Sequence, residues 1–237
     1  MLRQPLRILA IGAHCDDIEI GLGGTLLELA RSEDVEVDWF VLTSTPERAQ
    51  ETLASADSFL GRHGGQYGSD RVRIHDFRDG FLPYQGIEVK EAFEALKAHV
   101  QPDVIFTHSR DDSHQDHRFV AELTWNTWRN HLIFEYEIPK YDGDLGPMSA
   151  YVEVSEEHVR EKWELLRRHY PSQHSRQWFT EDTFRGLMRL RGVEANAPSG
   201  YAEAFRARKL LMDLVPRSSS SEAGIPVFAG VSEGLSR

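Results

Sequence analysis

Two short segments of the chain carry side chains of the kinds that hold metal ions in enzymes. In the first, Ala13–Asp17 (AHCDD), His14 and Asp17 are three residues apart, so a helical turn would point both side chains the same way. A neutral imidazole and a carboxylate suit zinc, and three protein ligands leave the fourth position of the ion open for water. The competing interpretation is structural, since Asp16 and Asp17 could instead cap the helix that follows.

The second segment, His108–His117 (HSRDDSHQDH), holds three histidines and three aspartates within ten positions. His114 and His117 are again three residues apart, at the start of a predicted helix. A polar loop with one capping aspartate is the alternative, but packing gives such a loop no reason to carry so many ligand-type side chains after an apolar strand. The pattern therefore favours a metal or catalytic site.

Each segment directly follows a short apolar run that predicts a buried strand. These runs are Arg7–Ile11 (RILAI) and Val104–Thr107 (VIFT). If the two strands are neighbours in a parallel sheet, their carboxyl ends bring His14, Asp17 and His117 around one ion. Two histidines and one aspartate with an open position form a catalytic arrangement, whereas structural zinc sites are closed.

The elements that would position these segments alternate between strand and helix along most of the chain. Further strands are predicted at Val35–Leu42, Val72–His75, Ile133–Glu137 and Tyr151–Val154. Helices are predicted at Leu22–Ala30, Pro46–Leu60, Ile87–Val100, His114–Trp128, Glu156–His169 and Tyr201–Leu214. The alternation predicts a three-layer α/β fold, with a mostly parallel twisted sheet and helices on both faces.

The length of 237 residues suits one large domain with a sizeable core. We expect a single domain over residues 1–216, in which elements after about residue 138 shape a substrate pocket. Residues 217–237 begin with an arginine and four serines, and they are predicted to form a flexible tail.

Composition excludes several classes of protein. A net charge of −11 does not suit general nucleic-acid binding, which needs a basic surface. The single cysteine, Cys15, excludes an internal disulfide and a zinc finger, so a metal site must use His, Asp and Glu. No apolar run approaches the roughly 20 residues that span a membrane, and residues 1–5 carry no signal-peptide pattern. A cytoplasmic location is expected, and whether the chain forms a homo-oligomer is left open.

At these residues the sequence resembles the PIG-L / LmbE-like deacetylases. This family includes N-acetylglucosaminyl-phosphatidylinositol (GlcNAc-PI) de-N-acetylase and bacterial zinc deacetylases of N-acetylglucosamine-containing compounds. Its motif AHPDD with a following GxGGT stands here as AHCDD and GLGGT, and its motif HxDH stands as HQDH. Shorter correspondences are Arg48 and Glu51 (R-x-x-E), Asp79-Gly80, and Ser172-Gln173. The resemblance extends from about residue 6 to residue 175 and implies a Rossmann-like, LmbE-like fold.

The resemblance also implies a role for each motif residue. The implied zinc ligands are His14, Asp17 and His117. The implied residues for proton chemistry are Asp16, as the general base, and His114, which stabilises the oxyanion or protonates the leaving amine. Asp116 would orient His114 or a ligand histidine, as carboxylates near metal sites commonly do.

The remaining residues of the motifs concern substrate binding and backbone shape. Arg48 is expected to contact substrate, and His174 is expected to enter the substrate pocket. The glycines of GLGGT would let the backbone pass close to a ligand. Cys15 and Gln115 stand where the family has proline, which removes rigidity from both turns but neither a ligand nor a proton donor.

Together these residues predict a zinc-dependent amide hydrolase. The expected reaction is N-deacetylation of a small N-acetylglucosamine-type sugar or glycoconjugate. Sites with two histidines and one aspartate also accept Fe²⁺, Co²⁺ or Mn²⁺. Two alternatives stay open: a tailoring amidase or deacetylase acting on a natural-product or thiol precursor, and a metal-binding homologue without catalysis.

Overall fold

Seven strands form one mixed sheet over the described part of the chain. The computed structural model describes residues 5–32, 34–61 and 71–211. The strands are β1 (Leu6–Gly12), β2 (Val35–Thr43), β3 (Val72–Phe77), β4 (Val104–His108), β5 (Leu132–Tyr136), β6 (Ala150–Glu153) and β7 (Ala202–Ala207). Their spatial order is β3-β2-β1-β4-β5-β7-β6.

The order of the strands explains where a ligand would bind. β1 pairs in parallel with both β2 and β4, and β4 pairs in parallel with β5. The chain runs outward from β1 to β2 and β3, then returns to the other side of β1 to form β4. The carboxyl ends of β1 and β4 therefore flank the point where strand order reverses, which is the ligand-binding position of open α/β sheets. The predicted adjacency of these two strands is confirmed.

Six α-helices lie within the same described ranges. They are α1 (Asp17–Leu29), α2 (Pro46–Leu60), α3 (Gly86–His99), α4 (Gln115–Thr127), α5 (Glu156–His169) and α6 (Glu181–Glu194). The predicted bounds of α2 and α5 are confirmed. Both helices start where predicted because the side chains of Thr45 and Ser155 each accept a hydrogen bond from the backbone N–H three residues further on. The sequence patterns did not predict α6, although its buried Phe184 and Met188 are four residues apart.

Helices cover both faces of the sheet, as the alternation predicted. Ile8 and Ala10 of β1 belong to a buried cluster with residues of α1, α2, α5 and α6. Leu9 and Ile11 belong to a second cluster with residues of α3 and α4 on the opposite face. The three-layer fold with a mostly parallel sheet is confirmed. Among the residues described, no helix is long and apolar enough to cross a membrane.

The prediction of a helix at Tyr201–Leu214 is wrong, because residues 202–207 form the strand β7. Its letters AEAFRA include the good helix formers Ala, Glu and Arg, which favoured a helix. In the structure Phe205 pairs with Tyr136 of β5 on one side and with Ala150 of β6 on the other, antiparallel to both. Pairing on both sides satisfies the backbone and buries Phe205, so the tertiary context overrides the local preference. The predicted tail at residues 217–237 lies outside the described residues.

Helix α1 is kinked at Leu22, whose φ of −144° and ψ of 17° are not helical. Two buried side chains satisfy the backbone groups around the kink. Lys162 Nζ donates to the Ile20 carbonyl at 2.6 Å, and Glu203 accepts from two backbone N–H groups beyond the kink, each at 2.7 Å. Lys162 and Glu203 also form an ion pair with a 2.7 Å N–O distance. The pair therefore holds the shape of the helix that begins at Asp17.

The glycines of the GLGGT motif make room for packed side chains, and the approach of a ligand expected of them stays a prediction. A Cβ atom added at Gly21 would lie 2.3 Å from the ring of Tyr136, and one at Gly23 would lie 2.9 Å from Phe59. Both distances are far below ordinary van der Waals contact. Protein side chains thus occupy the space that these glycines leave open.

We expect Gly21→Ala to lower the free energy of unfolding by about 1–3 kcal/mol, the usual cost of overpacking a core. The Tyr136 ring that blocks the new methyl group is fully buried and has no room to move away. Gly186→Ala is the matched control. Gly186 lies within α6, and a Cβ atom added there would meet no atom within 4 Å. That control should raise stability by about 0.5–1 kcal/mol. Urea unfolding of both variants tests this, and equal stability of the two would contradict the packing role.

Candidate metal centre and active site

The turn after β1 holds the first pair of predicted ligands. The backbone N–H of His14 donates to Asp17 Oδ2 at 2.6 Å, which fixes the carboxylate beside the end of the strand. His14 Nδ1 lies 3.2 Å from the same oxygen. The side chain of Asp17 is almost fully buried, so its charge needs a partner inside the protein.

The third predicted ligand comes from the first turn of α4. His117 Nε2 lies 3.1 Å from His14 Nδ1 and 3.5 Å from Asp17 Oδ1. The structure therefore brings all three residues together across the β1–β4 boundary. The two imidazole nitrogens lie 3.1 Å apart, and each lies within 3.5 Å of one oxygen of the Asp17 carboxylate, Oδ2 for His14 and Oδ1 for His117. Imidazole nitrogens and a carboxylate are donors that suit divalent zinc. These residues fit a bound metal ion.

Further ligand-type side chains surround this triplet. In the described part of the chain, three overlapping groups have ligand atoms within 4.8 Å of one another: His14, His114 and His117; Asp17, His108 and His117; and His14, Asp79 and Asp116. Some of these atoms are already engaged. His108 Nε2 accepts the N–H of Ala13 at 2.9 Å, and both Asp116 oxygens accept backbone N–H groups. The predicted triplet combines two of these groups, since His14 and His117 occur together in the first and Asp17 and His117 in the second.

Asp112 orients His117, a contact that no sequence pattern predicted. Asp112 Oδ2 lies 2.9 Å from His117 Nδ1, so the other ring nitrogen faces His14 and Asp17. Burial would raise the pKa of Asp112, but the hydrogen bond and nearby charge of His117 hold it well below its usual range. A carboxylate in this position fixes the tautomer and the direction of a ligand histidine. The sequence feature that could have indicated this role is the position of Asp112 in an acidic run, five residues before His117.

Asp16 does not cap α1, so the structural interpretation of this aspartate is wrong. It occupies the N-cap position, yet its side chain makes no capping hydrogen bond. Its Oδ1 instead lies 2.9 Å from Arg48 Nη2, and the carboxylate is buried. Burial raises the pKa of Asp16, and the charge of Arg48 opposes that rise. The expected role of Asp16 as a general base stays a prediction.

His114 caps α4 through its side chain. Its Nδ1 accepts the backbone N–H of Asp116 at 3.2 Å, so in the neutral ring the proton resides on Nε2. The ring lies edge-on to His14, with centroids 4.9 Å apart, and 4.6 Å from the ring of His117. His114 as a whole is half buried.

Asp116 anchors the turn that contains Asp79. Its Oδ2 accepts the N–H of Gly80 at 2.7 Å, and its Oδ1 accepts the N–H of Leu82 at 3.2 Å. Oδ2 also lies 3.4 Å from His14 Nε2. Of the two contacts expected for this carboxylate, the structure therefore shows the one with a candidate ligand histidine, His14. Asp79 Oδ1 is brought within 3.1 Å of His14 Nε2 by the same turn.

His108 is a second residue to which the sequence patterns assigned no role. It is fully buried and stacks on His117 with ring centroids 3.9 Å apart. Its Nε2 lies 3.1 Å from Asp17 Oδ2. The signal was its place at the end of β4, one residue beyond the predicted strand.

The two residues that replace family prolines each make a local contact. Cys15 is buried, its Sγ lies 3.4 Å from the carbonyl oxygen of Thr43, and burial raises the pKa of its thiol to about 11. The thiol is therefore protonated at neutral pH and is not a ready target for oxidation. Gln115 Nε2 donates to the carbonyl of Gly80, which adds a tie between α4 and the Asp79 turn.

The two predicted substrate-binding residues occupy different surroundings. The guanidinium of Arg48 is paired with Asp16 and is partly exposed. His174 is exposed, and its Nε2 lies 2.8 Å from the carbonyl oxygen of Arg167 in α5. Both assignments stay predictions. Ser172 donates from its N–H and its hydroxyl to Glu51, so two separate elements of the sequence resemblance touch each other.

The chain is similar to proteins of one family. The family model described as PIG-L, GlcNAc-PI de-N-acetylase, matches residues 9–128. A relative from Escherichia coli (strain K12), named "Uncharacterized deacetylase YaiS", is 29% identical over 174 residues. That alignment covers 68% of this chain and 89% of the relative. The matched range of the family model contains all three residues of the candidate metal centre.

Solved structures share the fold. The conserved protein TT1542 from Thermus thermophilus has a TM-score of 0.65 and 22% identity, over 90% of this chain and 100% of that one. N,N'-diacetylchitobiose deacetylase from Pyrococcus horikoshii, in complex with its inhibitor MPG, has a TM-score of 0.63 and 22% identity, over 84% and 82%. At this identity the structures demonstrate a common architecture and no more.

Proposed function

Because the chain belongs to the PIG-L family of GlcNAc-PI de-N-acetylases, we propose that it is a zinc-dependent N-deacetylase. The observation that carries the proposal is the convergence of His14, Asp17 and His117 at the β1–β4 boundary. We propose these three residues as the metal ligands. Zinc bound there would polarise the amide carbonyl and lower the pKa of water, which are the effects that amide hydrolysis needs.

The residues around the centre divide the proton chemistry between them. Asp16 would take the proton from the attacking water, since its buried carboxylate lies in the same turn as His14 and Asp17. His114 would present its Nε2–H to the developing negative charge, and the proton that Asp16 has taken from water would pass to the leaving amine. Arg48 would hold Asp16 in place through their 2.9 Å contact. The products are a free amine and acetate.

The proposed substrate is a small N-acetylglucosamine-type sugar or glycoconjugate. The description of the matching family, GlcNAc-PI de-N-acetylase, supports this choice. The chitobiose deacetylase that shares the fold supports it as well. The second enzyme hypothesis, a tailoring deacetylase on a natural-product or thiol precursor, keeps the same centre and changes only the pocket.

We expect the zinc-loaded protein to release free amine from N-acetylglucosamine derivatives, and we expect a chelator to abolish that release because the ion supplies the electrophile. Readdition of Zn²⁺ should restore activity, and Co²⁺, Fe²⁺ and Mn²⁺ are compared in the same assay. A colorimetric amine assay over a panel of N-acetylated sugars, glycolipids and thiol glycosides separates the two enzyme hypotheses. A protein with one metal ion bound that hydrolyses no amide in the panel would contradict the proposed function.

A metal-binding homologue without catalysis is the least supported hypothesis. Holding an ion requires neither the buried carboxylate of Asp16 nor the half-exposed ring of His114. Both residues are nevertheless present: Asp16 lies between His14 and Asp17 in the same turn, and the ring of His114 lies 4.9 Å from that of His14. The physiological substrate, the oligomeric state and a cytoplasmic location stay predictions.

A further inference from the structure

Lys140 lies beyond the range that matches the family, yet it reaches the candidate metal centre. It follows β5 by four residues, and its Nζ lies 3.0 Å from Asp112 Oδ1. The Lys140 side chain is only 10% exposed, so its charge is held inside the protein. The opposite oxygen of the same carboxylate, Oδ2, receives His117 Nδ1 at 2.9 Å. One carboxylate therefore connects Lys140 with a candidate metal ligand.

The carboxylate of Asp112 has three donors around it. Oδ1 accepts the backbone N–H of His114 at 2.7 Å in addition to the ammonium of Lys140. Oδ2 accepts from His117. The side chain is 3% exposed, so water cannot replace a lost donor without opening the site. Loss of the ammonium would leave the buried carboxylate of Asp112 with one fewer hydrogen-bond donor. The orientation of the carboxylate plane would then be less well fixed.

A second carboxylate ties Lys140 to the same turn. Lys140 Nζ lies 2.8 Å from Asp144 Oδ2, and that oxygen accepts the N–H of Ser113 at 2.6 Å. Ser113 directly precedes His114. The ammonium thus contacts two carboxylates that both bind the backbone at the start of α4. A third, the more exposed Asp142, lies farther away at 3.7 Å.

We propose that Lys140 is a positioning residue of the metal centre, which acts through Asp112 to fix the ring of His117. The proposal rests on the proposed function in one respect, that His117 binds the ion. A charge-assisted hydrogen bond holds the carboxylate more firmly than a neutral one, and the carboxylate in turn sets the direction of the imidazole. A simple tether for the segment around Asp144 is the competing role, and it makes a different prediction.

We expect Lys140→Met to weaken binding of Zn²⁺ by about 10-fold, the lower end of what removing the direct outer partner of a metal ligand costs, because Lys140 acts through Asp112. Lys140→Arg should restore most of the affinity because it keeps the charge. Asp144→Asn is the matched control, because it removes the second ion pair and leaves the contact with Asp112 intact. The dissociation constant is measured on metal-free protein by competition with a chromophoric chelator. The absorption spectrum of the Co²⁺ form reports the geometry of the ligands independently of turnover.

Two results would overturn the proposal. One is wild-type affinity for Zn²⁺ in Lys140→Met, and the other is an equal loss in Asp144→Asn, which would assign Lys140 to tethering alone. If Lys140→Met does not fold, Lys140→Gln replaces it in the test. Glutamine also lacks the charge, so the same loss of Zn²⁺ affinity is expected. Binding without amide hydrolysis by the wild type would contradict the proposed function and leave the role of Lys140 to be decided by affinity. Failure of the wild type to bind Zn²⁺ or Co²⁺ would reject both.

Discussion

Asp16→Asn should reduce kcat for amide hydrolysis by about 10²–10⁴-fold, the usual contribution of a positioned general base. Asparagine keeps the size of the side chain and can still contact Arg48, but it cannot take a proton from water. Because Asp16 is not among the proposed ligands, the affinity for Zn²⁺ should change by no more than about threefold, well short of what removal of an outer partner costs. Steady-state kinetics and metal titration on the same preparation measure the two effects separately.

Glu19→Gln is the matched control for this substitution. Glu19 is also a buried carboxylate of α1, but it bonds the hydroxyl of Tyr170 and lies outside the proposed machinery. Burial raises the pKa of Glu19 to about 8, so the side chain is mostly protonated at pH 7 and glutamine imitates that form. Its turnover should stay close to wild type. Unchanged turnover in Asp16→Asn, or an equal loss in both variants, would remove the role proposed for Asp16.

Lys162→Met should lower the free energy of unfolding by about 3–5 kcal/mol, which corresponds to a fall in Tm of roughly 10 °C. The change leaves the buried carboxylate of Glu203 without its cation and the Ile20 carbonyl without its donor. Both groups are deep in the protein, where an unpaired charge is costly. Urea unfolding followed by circular dichroism measures the loss.

Lys90→Met provides the comparison at the surface. Lys90 pairs with Glu94 four residues on within α3, and both side chains are substantially exposed. Such pairs contribute at most about 1 kcal/mol, because water competes for both charges. If Lys162→Met proves no more destabilising than Lys90→Met, the kink in α1 does not depend on the buried pair.

Several features of the site could be predicted from the sequence because they depend on short spacing. His14 and Asp17, and likewise His114 and His117, are three residues apart, and each pair follows an apolar run. The turns that follow parallel strands all lie at the edge of the sheet where the carboxyl ends of the strands meet. Alternation of strand and helix predicted a parallel sheet, in which β1 and β4 could be neighbours, and the structure pairs them.

Contacts between distant parts of the chain could not be predicted in the same way. The pairing of Arg48 with Asp16 spans 32 positions, and the hydrogen bonds of Glu203 to the backbone of α1 span almost 180. No local pattern marks such partners, because charged residues of either sign are common throughout the sequence. The strand β7 was missed for a related reason, since its residues favour a helix until β5 and β6 offer partners on both sides.

The sequence by itself determined which two segments form the candidate centre and which ligand-type side chains they carry. Those properties depend on residue type and on spacings of a few positions. Residues at such spacings in a helix or a strand lie on the same face, so local geometry brings their side chains together. Only the tertiary structure decided which carboxylate orients His117, what holds Asp16, and why Lys140 reaches the centre. These are partnerships between buried charges, and burial is a property of the folded chain as a whole.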